Sequence, residues 1–286
     1  MDQLYAFFLE YGSWLIAMAF AGLLGGFVAG LLGVGGGIII VPVLYFVLGS
    51  MGVDDAVRMK IAVATSLTTI IITSASSARS HNKRNAVDKS LLKSWGIPIF
   101  FGVVAGTIIG GYANGMVLTL VFATVAMLVA INMLVRGNKA AITDGFPNKF
   151  VKAISGLGVG LFSAMMGIGG GTLSVPILTA FNFDIRKAVG TASAIGFIIA
   201  IPGTIGYVLT GLGVEGLPPG SVGYLNLYAL AALAPLTALM APVGAKVAHH
   251  IDRKTLAYSF AAFLIVTSLR MFYDSAQHLW GFSLFS

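Results

Sequence analysis

The chain has 286 residues, 57% of them hydrophobic and only 9% charged, with a mean hydropathy of +0.94 and a formal net charge of +7. A soluble domain carries about 25% charged residues, so the composition sets aside a water-soluble fold and points to a polytopic membrane protein. There is no cysteine, which excludes disulfides and thiolate metal sites. The Lys and Arg residues sit between apolar segments, where the positive-inside rule puts them, and do not suggest nucleic acid.

The first twelve residues, MDQLYAFFLEYG, carry no basic n-region and no A-x-A site, so they do not read as a cleaved signal peptide. An apolar span over 12–32 follows, rich in glycine and alanine (Gly22, Gly25, Gly26, Ala29, Gly30), which permits close helix packing. It meets Gly33-Val34-Gly35-Gly36-Gly37 and then Pro42. Each glycine costs a helix about 1 kcal/mol relative to Ala, so the helix is expected to break there. A piece at 38–49, too short to span, and a polar loop with Asp54, Asp55, Arg58 and Lys60 come next. Spans are predicted at 61–80, rich in hydroxyls, and, after the basic loop HNKRNAVDK, at 90–112 and 116–135. A basic loop over 136–150, with Arg136, Lys139 and Lys149, links the halves.

The second half repeats the plan. A span at 151–167 runs into Gly167-Ile168-Gly169-Gly170-Gly171 and Pro176, 134 residues after the first motif. A short apolar piece at 172–182 leads to Asp184, Arg186 and Lys187, then to spans at 188–211, 222–247 and 255–273, with the Gly/Pro loop GLGVEGLPPGS and the basic stretch His249–Lys254 between them. Trp280 and Phe282 suit an interfacial position. Ala62-Val63-Ala64-Thr65 echoes Ala188-Val189-Gly190-Thr191, so the repeat extends beyond the glycines. The expected organisation is a first transmembrane repeat over 1–135, a cytoplasmic linker over 136–150 and a second repeat over 151–286. Loop charge places Lys83 and Lys254 inside and Asn114 and Gly220 outside, which makes the halves inverted in topology. Arg58 and Lys60 then lie outside, against the rule.

All ten acidic residues, Asp274 included, fall in predicted loops or at span edges. Proton relays and cation sites in membranes normally use intramembrane carboxylates, so a cation or metal permease is disfavoured. A membrane-embedded enzyme acting on lipid is disfavoured too, because the four histidines all lie at loops or ends and build no catalytic cluster. No lysine follows the glycines, so neither motif is a phosphate-binding P-loop. Thr65, Thr69, Thr73 and Ser76 recur at helical spacing on one face, with Ser193 and Thr204 as partial counterparts. Membrane hydroxyls commonly bond back to helix carbonyls or join helices. Gly102, Gly106 and Gly110, four residues apart, read as a packing stripe.

GLLGVGGGIIIVPVL and GLFSAMMGIGGGTLSVPIL, with ATS and GTAS downstream and the basic HNKRNAVD segment, resemble the sulfite exporter TauE/SafE family, also called the toluene sulfonate uptake permease family. The resemblance covers nearly the whole chain and implies a multi-pass carrier of the bacterial inner membrane for sulfite, sulfonates or related organosulfur acids. Tyr207 stands where the first half has His81, so a role for that histidine is not duplicated.

The resulting expectation is an all-α polytopic membrane protein with two inverted repeats and helices broken at both GGG motifs. A small anion would sit between the breaks, held by backbone N–H groups at Gly35, Gly36, Gly37 and Ile38 and at Gly169, Gly170, Gly171 and Thr172, with Thr65, Ser66, Thr191 and Ser193 as neutral donors. No cofactor and no metal are expected. The partners implied are the anion and the lipid bilayer, with no nucleic acid, and self-association stays open. Export by alternating access is the expected mode.

Overall fold

The computed structural model describes residues 2–32, 35–135, 142–247 and 253–280. Gly33, Val34, Arg136, Lys139, His249, His250 and Phe282, each invoked above, lie outside the described residues. The described chain forms ten helices and one two-stranded hairpin: α1 (Asp2–Leu32), α2 (Gly37–Ser50), α3 (Asp55–Lys83), α4 (Lys89–Tyr112), α5 (Gly115–Val135), α6 (Lys149–Met166), α7 (Gly170–Ala180), α8 (Ile185–Thr210), β1 (Ser221–Val222), β2 (Leu225–Asn226), α9 (Leu227–Val247) and α10 (Arg253–Trp280). Six of them (α3, α4, α5, α6, α8 and α9) are long and apolar enough to cross a membrane. Their outward side chains are apolar as well: Ile97, Phe101, Ile108 and Leu128 are all more than 45% exposed, an apolar belt that lipid covers.

Local chemistry sets the helix ends. Asp54 caps α3 by accepting from Ala56 N, and Asp184 caps α8 by accepting from Arg186 N and Lys187 N. The cap at Asp54 corrects one expectation. Arg58 and Lys60 belong to the first turns of α3 and not to a loop; Arg58 pairs with Asp55 and lies 4.4 Å over the Tyr45 ring. Asp274 lies within α10, not in a tail, 3.5 Å from Arg270 one turn earlier. The expected span at 222–247 begins only at Leu227, because 221–226 form the β1–β2 hairpin, with Ser221 opposite Asn226 and Val222 opposite Leu225.

Contacts sort the connections into two groups. At one end, the Asn114 end, Gly115 packs on the Asp55 carbonyl, Lys60 Nζ donates to Gly111 O (3.0 Å), and the hairpin joins them. At the other, the Lys83 end, Asp88 N donates to Thr191 Oγ1 (2.9 Å), Trp95 Nε1 to Lys152 O (3.0 Å), and Ile142 N to Ala180 O (2.8 Å). Phe146 stacks between Trp95, Phe181 and Phe183 there. The pair α6–α7 therefore starts and finishes at the Lys83 end. Helix α2 finishes at the Asn114 end, where Gly49 abuts Arg58. Helix α1 runs parallel to α9: Gly22 lies against Leu233 and Leu236, and Gly26 against Thr237. Helices α4 and α6 are likewise parallel. Gly102 and Gly106 seat on the backbone of Leu157 and Leu161, and Gly160 seats in turn on Ile99. That is the small-residue packing predicted for the stripe, with Gly110 against the Tyr207 hydroxyl.

Candidate functional site

Helices α3 and α8 cross in the middle of the molecule and run antiparallel. Thr68 Oγ1 and Thr204 Oγ1 are 3.3 Å apart, Ser77 Oγ donates to Ser193 Oγ (3.1 Å), and Gly203 and Gly196 pack on Leu67 and Ser74. The two helix breaks meet beside this crossing. A Cβ placed on Gly35 would lie 3.3 Å from Gly169 Cα, and one on Gly37 would strike Gly167 O. Helix α1 ends at Leu32 and α2 begins at Gly37; α6 ends at Met166 and α7 begins at Gly170.

The two breaks use different backbones. In the first, Gly35 (φ +80°) and Gly36 (φ +76°) are left-handed, a region open to glycine. In the second, Gly167 (φ +66°) is left-handed and Gly169 is extended. Both helix starts are buried, and neither receives a side-chain cap. The first N–H groups of a helix have no intrahelical acceptor, so a buried, uncapped start leaves donors and a positive dipole end available.

Of the expected site residues, Gly35, Gly37, Ser66, Gly169 and Gly170 gather at this meeting point. Ser66 Oγ donates to Gly167 O (2.7 Å) and ties α3 to the second break. Thr73 Oγ1, one turn beyond Ile70, reaches Gly35 O (3.3 Å). Gly36 is the residue before α2; its carbonyl accepts from Ile39 N and Ile40 N. Its added Cβ would lie 2.5 Å from Gly25 O, and that of Gly170 2.6 Å from Ala192 O. At both positions the missing side chain makes room for neighbouring backbone, so Gly36 and Gly170 are packing contacts as well as helix starts. Ile38 is fully buried in the apolar core.

Thr65 and Thr191 are elsewhere. Thr65 Oγ1 accepts from Asn226 N (3.2 Å) at the Asn114 end, and Thr191 Oγ1 accepts from Asp88 N at the Lys83 end. By the α3–α8 register Thr191 lies level with residue 79, fourteen residues along α3 from Thr65, or about 21 Å at 1.5 Å per residue. One small anion cannot touch both. Ser193 is spent on Ser77 and on its own helix, donating to Val189 O (2.9 Å). The hydroxyl face of α3 mostly bonds back on the helix: Thr69 Oγ1 donates to Thr65 O (2.9 Å), and Thr73 Oγ1 also lies 3.4 Å from Thr69 O.

Residues that the repeat could not single out sit beside the second break. Ser163, Thr172 and Ser174 are each at most 4% exposed, and their hydroxyls have no partner. Of the three, only Thr172 was expected. The positions 134 residues earlier are Ala29, Ile38 and Ile40, so the second break is lined with hydroxyls where the first is apolar. Searching for symmetry discards that difference; comparing the aligned halves position by position would have found it.

The Asn114 end is closed by the hairpin. Tyr224 is buried, its N–H donates to Tyr207 O (3.3 Å), and Lys60 Nζ donates to its hydroxyl (3.3 Å). Burial raises the Tyr224 pKa above the usual tyrosine range, so it remains a neutral phenol. Asn226 ties the hairpin to its flanks: its Nδ2 donates to Pro219 O (3.0 Å) in the preceding loop, and its Oδ1 accepts from Ala229 N (2.9 Å) in α9.

The profile of the sulfite exporter TauE/SafE family matches residues 18–271. A "Probable membrane transporter protein" of Haemophilus influenzae is 30% identical over 260 residues, covering 91% of this chain and 98% of the relative. "Probable membrane transporter protein YunE" of Bacillus subtilis is 28% identical, covering 91% and 97%. A "Probable membrane transporter protein" of Methanocaldococcus jannaschii is 27% identical, covering 86% and 92%. No solved structure matches the chain.

Proposed function

The chain belongs to the sulfite exporter TauE/SafE family of membrane transporters and is a multi-pass membrane protein, and from that premise we propose that it is an inner-membrane carrier that exports a small sulfur-containing oxyanion by alternating access. The observation that carries this reading is the apposition of two buried, uncapped helix starts, at Gly37 and Gly170, beside three unpartnered hydroxyls. Buried polar groups are normally satisfied; an oxyanion has acceptors for both the N–H groups and the hydroxyls, whereas a cation has none. The site is therefore drawn asymmetrically: N–H groups of Gly37 and Ile38 from one side, and those of Gly170 to Thr172 with Thr172, Ser174 and Ser163 from the other.

Inverted repeats are part of the proposal. They are supported by α2 finishing at the Asn114 end while α7 finishes at the Lys83 end, and by the parallel pairings α1 with α9 and α4 with α6. Each of these pairings joins a helix of one half to a helix of the other. Alternating access is supported by the hairpin closing the Asn114 end, which loop charge places outside. With no carboxylate at the breaks, transport of a monovalent anion is uncoupled. The membrane potential then favours export by about 1.7 decades per 100 mV, since one charge is worth about 2.3 kcal/mol per 100 mV and about 1.4 kcal/mol is tenfold.

Flux of radiolabelled sulfite and of sulfonates in proteoliposomes tests the reading. Transport that follows an imposed potential, with no requirement for a proton or sodium gradient, is the expected result. Flux of divalent cations without flux of any sulfur oxyanion would overturn it.

A further inference from the structure

Between the last turns of α3, the first turns of α4 and the middle of α8 lies an open groove of about 1070 Å³. Its rim carries Arg79 and Lys83 from α3 and Lys89 and Lys93 from α4, and no acidic residue lines it. Among the described residues, no acid forms an ion pair with any of the four rim cations. Asp88, the nearest carboxylate in sequence, is committed to capping α4 through Leu91 N (2.9 Å). The floor is apolar, with Ile72 41% exposed and Phe197 half-buried.

We propose that this groove is a binding site for an anionic phospholipid, with its phosphate among Arg79, Lys83, Lys89 and Lys93 and an acyl chain along Ile72 and Phe197. Charge complementarity selects the anionic head group: four cations face it with no acid in the lining. The apolar floor selects the tail, because a small hydrated anion gains nothing from Ile72 and Phe197. The dimensions also agree. From Lys83 to Ile72 is eleven residues of α3, about 16 Å at 1.5 Å per residue. The hydrocarbon of one leaflet is about 15 Å deep, half of a core of about 30 Å. The groove thus reaches from head-group level to the bilayer centre. Basic pockets between transmembrane helices on the cytoplasmic side suit anionic head groups, and loop charge puts Lys83 on that side.

The full chain, purified and delipidated in detergent, is titrated with phosphatidylglycerol, phosphatidylcholine or inorganic sulfate, and bound lipid is counted by native mass spectrometry alongside thermal melting. Phosphatidylglycerol is expected to be retained and to raise the melting temperature, in a salt-sensitive way, more than phosphatidylcholine does. The pairs Arg79→Gln with Lys83→Gln and Lys89→Gln with Lys93→Gln should each weaken its retention about 25-fold, about fivefold per charge. Lys149→Gln with Lys187→Gln, outside the groove, should leave it unchanged. Equal retention of the two lipids, or unchanged phosphatidylglycerol retention in both groove pairs, overturns the site. Sulfate stabilising as strongly as phosphatidylglycerol, and lost in the same pairs, also overturns it, because the groove is then an entry for soluble anions. Should one pair fail to fold, the other carries the test.

Discussion

Thr65 and Thr191 occupy matching places in the two halves, and each accepts a hydrogen bond from a backbone N–H of the opposite half: Asn226 N at 3.2 Å for Thr65 and Asp88 N at 2.9 Å for Thr191. Each threonine fastens a loop over one end of the α3–α8 pair. Their equivalence is architectural, since each half ties down the connection that the other half sends across it.

Replacing either acceptor should free its loop. In Thr65→Val the buried N–H of Asn226 loses its partner, a cost of about 1–3 kcal/mol, and the amides of Tyr224 to Asn226 should exchange faster with deuterium. In Thr191→Val the same change should appear at residues 86–88. If both variants raised the KM for transport while loop exchange stayed at the wild-type rate, the threonines would be substrate ligands.

The unpartnered hydroxyls separate binding from stability. Thr172→Val and Ser174→Ala remove buried groups that satisfy nothing within the protein. Stability should hold or rise by about 1 kcal/mol, because burying an unbonded hydroxyl is unfavourable. Affinity for the transported anion should fall about tenfold per lost hydrogen bond to a charged group. Unchanged transport in the double variant would move the anion away from the second break.

Glycine substitutions should rank by backbone conformation. Gly36→Ala and Gly106→Ala both press a Cβ against a neighbouring carbonyl, that of Gly25 or Leu161, at a cost of about 1–3 kcal/mol each. Gly36 also holds φ +76°, which adds about 1–2 kcal/mol for a residue with a Cβ. Thermal melting in detergent should therefore place Gly36→Ala below Gly106→Ala, and the reverse order would contradict the left-handed turn before α2.

Sidedness is open to direct labelling, since the chain has no cysteine of its own. Single cysteines at Asn114 and Gly220 should react with an impermeant reagent from outside in intact cells, and those at Lys83 and Asn148 only after permeabilisation. Position 83 reacting from outside would reverse the orientation and, with it, the direction assigned to the closing hairpin.

Composition and local pattern alone establish the membrane class, most of the spans and the two helix breaks, but not the aspartate caps at 54 and 184, which they leave in or beside loops. What they establish depends on chemistry summed over a local stretch: transfer of about 20 apolar residues into hydrocarbon, or the low helix propensity of consecutive glycines. The tertiary structure alone decided what the conspicuous residues touch. Thr65 meets an amide 161 residues away, and Ser66 a carbonyl 101 residues away; nothing in the spacing of hydroxyls along α3 specifies either partner. Gly36 and Gly170 look like cavity-lining positions in the sequence, yet the backbones of α1 and α8 occupy the space their side chains would need. The hairpin at 221–226 lies in a run resembling the start of a span, and its contacts with Lys60, Thr65 and Tyr207 come from chain segments that local pattern does not bring beside it. Hydrophobic transfer is additive along the chain and can be read from it, whereas a hydrogen-bond partner is chosen by which atom packing brings within about 3 Å.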